Sequence, residues 1–98
     1  MNEEPLSVRG QVREFVMERA HIMGLPDVKD SQELFQSGIL ESLVLFRLVA
    51  YLESNFPLRI SDEEIAPDNF RDIERITQFV NNKLAVKRRR EQRDEMSA

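Results

Sequence analysis

The sequence predicts an all-α fold: a small antiparallel four-helix bundle with three main helices and one short helix. Three observations favour this fold. Apolar residues recur at helical spacing in three segments, no segment alternates as a strand does, and the length of 98 residues is that of one domain. The connections between the segments have lengths typical of a small antiparallel bundle.

The first helix is predicted from about Ser7 to Met23. Ser7 can cap its N-terminus, and Gly24 with Pro26 two residues later is a stop signal. The apolar residues of this segment form one helical stripe, which we expect to face the core: Val8, Val12, Phe15, Val16, Ala20 and Met23.

Residues 25–41 form a long connection that is too apolar for a free linker. We expect an ordered loop whose apolar residues pack into the core, namely Leu34, Phe35, Ile39 and Leu40. Structureless loops of this length inside a compact domain are usually functional.

The second helix is predicted to begin at Glu41 or Ser42 and to run to about Phe56, where Pro57 ends it. Its sequence is apolar nearly all round, and a small bundle cannot bury every side of a helix. We expect one stripe to face the core, formed by Leu48, Val49, Leu52 and Phe56. A second face carries Leu43, Phe46 and Ala50, and an exposed apolar strip often marks a partner surface.

A capping box is predicted after the second helix, with Ser61 as the N-cap and Glu64 as the third helical residue. It opens a very short helix that Pro67 interrupts. The last helix then starts at Asn69 or Asp72, and its core stripe contains Ile73, Ile76, Phe79, Val80 and Leu84.

The helical pattern fades after Val86, which divides the chain into a helical domain, residues 1–86, and a charged helical extension or disordered tail, residues 87–98. The domain holds nine Lys/Arg against fifteen Asp/Glu, a net −6, and the tail holds five against three, a net +2. The acidic domain repels nucleic acid and favours basic protein surfaces. The basic run Lys87–Arg90 lacks interleaved aromatic residues, so we favour a solvated or frayed helix end over a nucleic-acid contact.

Cysteine is absent, which excludes disulfides, thiolate metal sites and a cysteine nucleophile. It is compatible with the reducing cytoplasm, where we expect a monomer. The N-terminal sequence MNEEPLSVRG lacks the features of a signal peptide, and no run approaches the ~20 apolar residues of a membrane span. We therefore expect no membrane association.

Two sets of polar residues are better explained by their positions in helices than by catalysis or metal binding. His21 falls near the end of the first helix, where we expect a surface residue rather than a catalytic one. Asp62, Glu63 and Glu64 are able in principle to bind a divalent cation, but acidic residues are also typical of a helix start. We predict no metal site.

The most informative segment runs from Leu34 to Leu43. Gly38 permits a turn, and Ser42 follows Glu41 at the start of the second helix. Free backbone N–H groups and the positive end of the helix dipole would suit a phosphate ester on Ser42. Serine is also among the commonest N-caps, so the residues alone leave an ordinary cap open. With one histidine in the chain, a reactive Ser42 requires activation by an external enzyme, and we predict no catalytic residue.

The segment GILESL, followed by LVAYLESNFPLRISDEEIAPDNFRDIERITQFV, resembles the acyl carrier and peptidyl carrier protein family. The closest resemblance is to free-standing carriers of the D-alanyl-carrier type. The sequence motif typical of this family is a loop glycine, a few apolar residues, and then Asp-Ser-Leu or Asp-Ser-Met at the start of the second helix. Here these positions hold Gly38, Ile39, Leu40, Glu41, Ser42 and Leu43. The similarity covers about residues 8–85 and implies the helical bundle of acyl carrier proteins.

The resemblance implies that Ser42 receives a 4′-phosphopantetheine arm from coenzyme A, attached by a phosphopantetheinyl transferase with a divalent metal. The thiol of the arm would hold an acyl or aminoacyl thioester, loaded by an adenylating ligase and delivered to an acyltransferase or synthase. The chain would be a carrier and not an enzyme. The residues implied in motif and partner recognition are Gly38, Ile39, Leu40, Glu41, Leu43, Phe46, Arg47 and Ala50.

Two departures from the family concern charge. Glu41 replaces the usual aspartate, which keeps the charge but moves it outward by one methylene. Val44 and Arg47 occupy helix positions where fatty-acid carriers are acidic, and only Glu53 is acidic after Ser42. These differences favour a dedicated adenylating ligase in a small biosynthetic cluster over a general fatty acid synthase.

Two alternatives stay open. An unmodified helical adaptor would bind a partner helix with the face of Leu43, Phe46 and Ala50. A small nucleic-acid binder would work through the basic tail, against the charge of the domain.

Overall fold

The structure is a computed structural model, and it describes residues 7–97, with side chains through Arg93. The helices are α1 (Val8–Ile22), α2 (Ser42–Asn55), a 3-10 helix (Asp62–Glu64), α3 (Pro67–Phe70) and α4 (Ile73–Ser97). No strand occurs in this part of the chain, which confirms the all-helical prediction. Residues 1–6 and Ala98, which the signal-peptide and tail predictions include, lie outside the described residues.

Helix α1 begins and ends where its sequence signals predict. The Ser7 hydroxyl accepts a hydrogen bond from the Gly10 N–H at 3.0 Å and so caps the helix. Gly24 follows the helix with a φ of +82°, a left-handed conformation that glycine adopts without steric cost. Met23, predicted as a core residue, lies at the C-cap and is exposed instead.

The core is built mainly from the stripes that the sequence predicts. Helix α4 packs against α1 and α3. The rings of Phe15 in α1 and Tyr51 in α2 lie 5.3 Å apart, and those of Phe70 and Phe79 lie 5.6 Å apart. The helical residues buried in this core are Val12, Val16, Ala20, Val44, Leu48, Val49, Leu52, Phe70, Ile73, Ile76 and Val80.

The long connection between α1 and α2 is ordered, as predicted. Leu34, Ile39 and Leu40 are buried in the core, and Phe35 packs against it partly buried. The Leu34 N–H donates to the Arg71 carbonyl at 2.8 Å, and the Leu40 N–H donates to the Leu34 carbonyl at 3.0 Å. The apolar anchors and these backbone bonds hold the segment that leads into α2.

Asp30 ties the same connection to two helices. Its carboxylate accepts hydrogen bonds from Arg9 and Arg13 of α1, and its carbonyl accepts the Glu74 N–H of α4 at 3.1 Å. Burial by itself would raise the pKa of Asp30, but the hydrogen bonds from Arg13 and Arg9 outweigh burial and lower it. The charged form of Asp30 is therefore part of the folded structure.

The region between α2 and α4 corrects one prediction. Pro67 does not interrupt a helix: it is the first residue of α3, where its missing N–H costs no hydrogen bond. Of the two predicted starts for the last helix, Asp72 is the one observed, and its carboxylate accepts the Arg75 N–H at 2.7 Å. Helix α4 continues to Ser97, well past the point where its apolar pattern fades.

The predicted capping box is present at the 3-10 helix. The Glu64 carboxylate accepts hydrogen bonds from the Ser61 N–H at 3.0 Å and from the Ser61 hydroxyl at 3.1 Å. Within the described residues, no helix is long and apolar enough to cross a bilayer.

Candidate functional site

Ser42 is the first helical residue of α2, and it is exposed. Glu41 occupies the N-cap position with extended backbone, and its carbonyl accepts the Leu45 N–H at 2.8 Å. The interpretation of Ser42 as an ordinary N-cap is therefore wrong. Among residues 7–93, whose side chains are described, nothing hydrogen-bonds to its hydroxyl, which is left available for reaction.

The start of α2 offers free hydrogen-bond donors beside that hydroxyl. The first turn of a helix leaves its backbone N–H groups without intrahelical partners. No side chain caps α2, and in the described part of the chain the N–H groups of Ser42, Leu43 and Val44 have no acceptor. Because the helix dipole is positive here, an anion attached to Ser42 would find both donors and a favourable field.

The loop before Ser42 contains several hydrogen bonds between its own residues. The Glu33 carboxylate accepts the N–H groups of Phe35, at 2.9 Å, and Gln36. The Ser37 hydroxyl donates to the Leu34 carbonyl at 3.0 Å. These bonds fix a compact turn directly ahead of the site.

Gly38 reverses the chain within this turn. It has a φ of +81°, and its N–H donates to the Phe35 carbonyl at 3.1 Å. A Cβ at this position would lie 3.6 Å from Met23 Cε, an ordinary contact, so the backbone conformation and not the space favours glycine. Ile39 and Leu40 then bury their side chains, which leaves Glu41 and Ser42 at the surface.

The second face of α2 is exposed, as predicted from its apolar excess. Leu43 is 58% exposed and Phe46 is 60% exposed, with Ala50 and Arg47 exposed beside them. Val44 does not belong to this face: it is 3% exposed and packs in the core. Of Val44 and Arg47, the two positions compared above with acidic helix positions, only Arg47 is therefore at the surface.

The apolar surface extends onto α1, which the sequence analysis did not foresee. Ile22, at the end of α1, is 69% exposed, and Met23 is exposed next to it. Of the five large apolar side chains exposed in the described chain, four lie on these two helix ends: Ile22, Met23, Leu43 and Phe46. Ile22 falls outside the helical stripe of α1, and that is the signal that would have identified it.

A shallow groove joins the two helix ends. It has a volume of about 160 Å³ and is lined by Phe15, Glu18, Arg19, Ile22, Val44 and Arg47. Arg19 Nε is buried without a hydrogen-bond partner, and no carboxylate among residues 7–93, whose side chains are described, forms an ion pair with Arg19 or Arg47. The groove therefore combines apolar side chains with Glu18 and two guanidinium groups that form no ion pair with a described residue, and Arg19 is a further residue that the sequence did not indicate.

Of the acidic run after α2, Glu64 contributes to the folded structure, and Asp62 and Glu63 are exposed. Lys83 donates to both carboxylate oxygens of Glu64 at 2.8 Å. No group of three or more His, Cys, Asp or Glu side chains in the described chain has the arrangement of a metal site. His21 lies exposed, as predicted for a surface residue.

Comparison of the chain with protein-family models, with curated proteins and with solved structures gave no match.

Proposed function

We propose that this chain is a free-standing carrier protein, in which Ser42 bears a 4′-phosphopantetheine arm that holds an acyl or aminoacyl group as a thioester. One observation carries the proposal: the Ser42 hydroxyl is exposed and has no partner in the described chain, at the first residue of a helix. A serine used only for capping would instead accept a backbone hydrogen bond, as Ser7 does.

The residues around Ser42 suit a phosphodiester. Three unpaired N–H groups and the dipole of α2 stabilise its negative charge. Glu41 is exposed, so the high dielectric constant of water weakens the repulsion between its charge and the ester. The buried side chains of Ile39 and Leu40 hold this corner in place while a transferase binds it.

The arm would supply a thiol, which the cysteine-free chain lacks. The chain itself would position the ester and present its cargo, and the proposal assigns it no catalytic residue. The proposed fold is an antiparallel bundle like that of acyl carrier proteins. Two observations support this arrangement: the Phe15 ring packs against Tyr51, and Ile22 at the end of α1 shares a groove with Val44 near the start of α2. Both favour an antiparallel orientation of α1 and α2.

The proposed partners are a phosphopantetheinyl transferase, an adenylating ligase and a downstream acyltransferase or synthase. They would dock on the face of Leu43, Phe46 and Ala50 with Arg47 at its edge. This face presents apolar surface and a cation, so it fits a partner with an apolar groove and an acidic residue beside it.

The direct test is the intact mass after incubation with coenzyme A, magnesium and a broad-specificity phosphopantetheinyl transferase. We expect a gain of one phosphopantetheine in the wild type and none in Ser42→Ala. Ser37→Ala is the matched control, because Ser37 lies in the same loop and donates to Leu34. A wild type that gains no mass with several transferases, or a gain that persists in Ser42→Ala, would refute the carrier function.

The second candidate is an unmodified adaptor that binds a partner helix. The exposure of Leu43 and Phe46 favours it, because apolar surface of this kind marks protein contacts whether or not Ser42 is modified. An adaptor would show no mass gain, and Ser42→Ala would bind the same partner as the wild type.

A further inference from the structure

A second groove, larger than the one lined by Ile22 and Arg47, lies far from Ser42. It has a volume of about 780 Å³ and lies between the segment that follows α2 and the outer half of α4. Glu53, on its α2 side, lies about 16 Å along the helix axis from Ser42 at 1.5 Å per residue. The volume is within the range of ligand-binding sites.

The floor of this groove is apolar. It is formed by Phe56 and Leu58 from the chain after α2 and by Phe79 and Val86 from α4. Val86 is 45% exposed and is the one large exposed apolar residue, within residues 7–93, that is remote from the Ser42 end. Exposed apolar surface that no partner covers lowers solubility, so an exposed valine at this position indicates a contact surface.

The carboxylates in the groove are already engaged. Glu53 accepts the Ile60 N–H at 2.9 Å. Glu64 accepts the Lys83 ammonium and the Ser61 N–H and hydroxyl. The Lys83 charge is thereby neutralised inside the groove wall.

Three cations at the rim are not neutralised in this way. Arg59 and Arg90 have no ion pair with any described residue, and Lys87 has only a 3.8 Å contact with the exposed Glu91. The groove is therefore positive, although the domain of residues 1–86 carries a net charge of −6. A concave site of opposite sign to its surroundings selects anionic partners.

We propose that this groove binds an acidic segment of another protein, whose apolar side chains contact Leu58 and Val86 while its carboxylates pair with Arg59, Lys87 and Arg90. The inference does not depend on the modification of Ser42. It also gives the basic run a function: Lys87 and Arg90, three residues apart on one helix face, line the groove, and Arg88 and Arg89 do not.

Nucleic acid fits this groove less well. Binding to single strands uses open aromatic faces on which bases stack. The Phe79 ring is half-buried, and Lys83 Nζ lies over it at 5.7 Å from the centroid, so that face is already covered. The acidic domain adds repulsion toward phosphates.

The test is fluorescence anisotropy with a labelled helical peptide in which leucines recur every three or four residues and glutamates fill the other positions. We expect binding that weakens with added NaCl, because the rim pairs are exposed. A peptide with lysine for glutamate and one with serine for leucine should bind roughly tenfold more weakly or not at all.

Two double variants separate the groove from the general charge of the tail. Lys87→Glu with Arg90→Glu should weaken peptide binding by roughly tenfold or more, whereas Arg88→Glu with Arg89→Glu, which makes the same charge change, should have little effect. Arg59→Glu, on the opposite wall and outside the tail, should weaken binding too. Circular dichroism checks that each variant is folded.

Four results would overturn the proposal. The first is a wild type that does not bind the acidic peptide even at about 1 mM, and the second is equal losses in the two double variants. The third is undiminished binding of the serine-substituted peptide, which would show that the apolar floor of the groove does not contribute to binding. The fourth is tighter binding of a single-stranded oligonucleotide than of the peptide, which would make the groove a nucleic-acid site.

Discussion

The Lys83 ammonium lies 2.8 Å from both carboxylate oxygens of Glu64, and this ion pair joins α4 to the 3-10 helix. The hydrogen bond from Lys83, with the bonds from Ser61, lowers the pKa of Glu64 below its ordinary value of 4.5. One carboxylate thus completes the capping box and ties the 3-10 helix to α4.

Acid should weaken this connection. A carboxylate whose folded pKa is lowered contributes stability above its unfolded pKa, and that stability is lost as the pH falls through the folded pKa. We therefore expect the free energy of unfolding, measured by urea denaturation, to decrease as the pH falls below about 4.5. Glu64→Gln should reduce this pH dependence, and Glu63→Gln, at the exposed neighbouring position, should not. An unchanged pH profile in Glu64→Gln would contradict the assignment.

Asp30 should act as a second acid-sensitive contact. Asp30→Asn removes the charge that Arg9 and Arg13 contact, and we expect it to lower the free energy of unfolding at neutral pH by about 1–2 kcal/mol. Since the pKa of Asp30 is also lowered, the difference between wild type and variant should shrink as the pH falls below the ordinary value of 3.8. Asp27→Asn is the control, because Asp27 is exposed and lies 3.8 Å from Arg13. Equal effects of the two substitutions would argue against a special role for Asp30.

Serines at two helix starts should respond differently to alanine. Ser7→Ala removes an N-cap bond and should cost about 1 kcal/mol of unfolding free energy. Ser42→Ala removes no hydrogen bond seen in the described chain and should cost less than about 0.5 kcal/mol. Urea denaturation measures both values. A Ser42→Ala loss as large as that of Ser7→Ala would mean that Ser42 stabilises the helix, and it would weaken the carrier proposal.

The face beside Ser42 should matter for loading and not for folding. Phe46→Ser and Leu43→Ser remove exposed apolar surface, so we expect little change in unfolding free energy but slower modification of Ser42 by the transferase. The measurement is the rate of mass gain at limiting transferase. Val86→Ser is the control, since Val86 is exposed on α4 within the remote groove. Loading rates that stay at the wild-type value in both α2 variants would show that the transferase does not use this face.

Much of the helical structure could be predicted because its signals are local. The spacing of Val12, Val16 and Ala20 places them on one side of α1 whatever that side contacts, and Ser7 caps the helix through a bond to Gly10. The apolar excess of α2 likewise requires that some apolar residues stay exposed, and these are Leu43 and Phe46. Gly38 indicates a turn, and an apolar helical pattern follows Glu41, so the sequence places Ser42 at the start of that helix.

The position of each helix within the fold was decided by contacts between distant residues. Val44 shares the apolar character of Leu43, and only the packed core shows that Val44 is buried and Leu43 is not. The sequence predicted an interruption at Pro67, but proline is equally suited to the first turn of a helix, and the surrounding fold gives it that place.

The helical class, the caps at Ser7 and Ser61, the exposed face of α2 and the location of Ser42 at a helix start follow from local patterns, because each depends on residues a few positions apart. Packing of the helices was needed to show that Ile22 and Arg19 line a groove with Arg47 of α2, and that Lys87 and Arg90 line another groove with Phe79 and Val86. These arrangements bring together residues from separate segments, and they exist only once the core has packed.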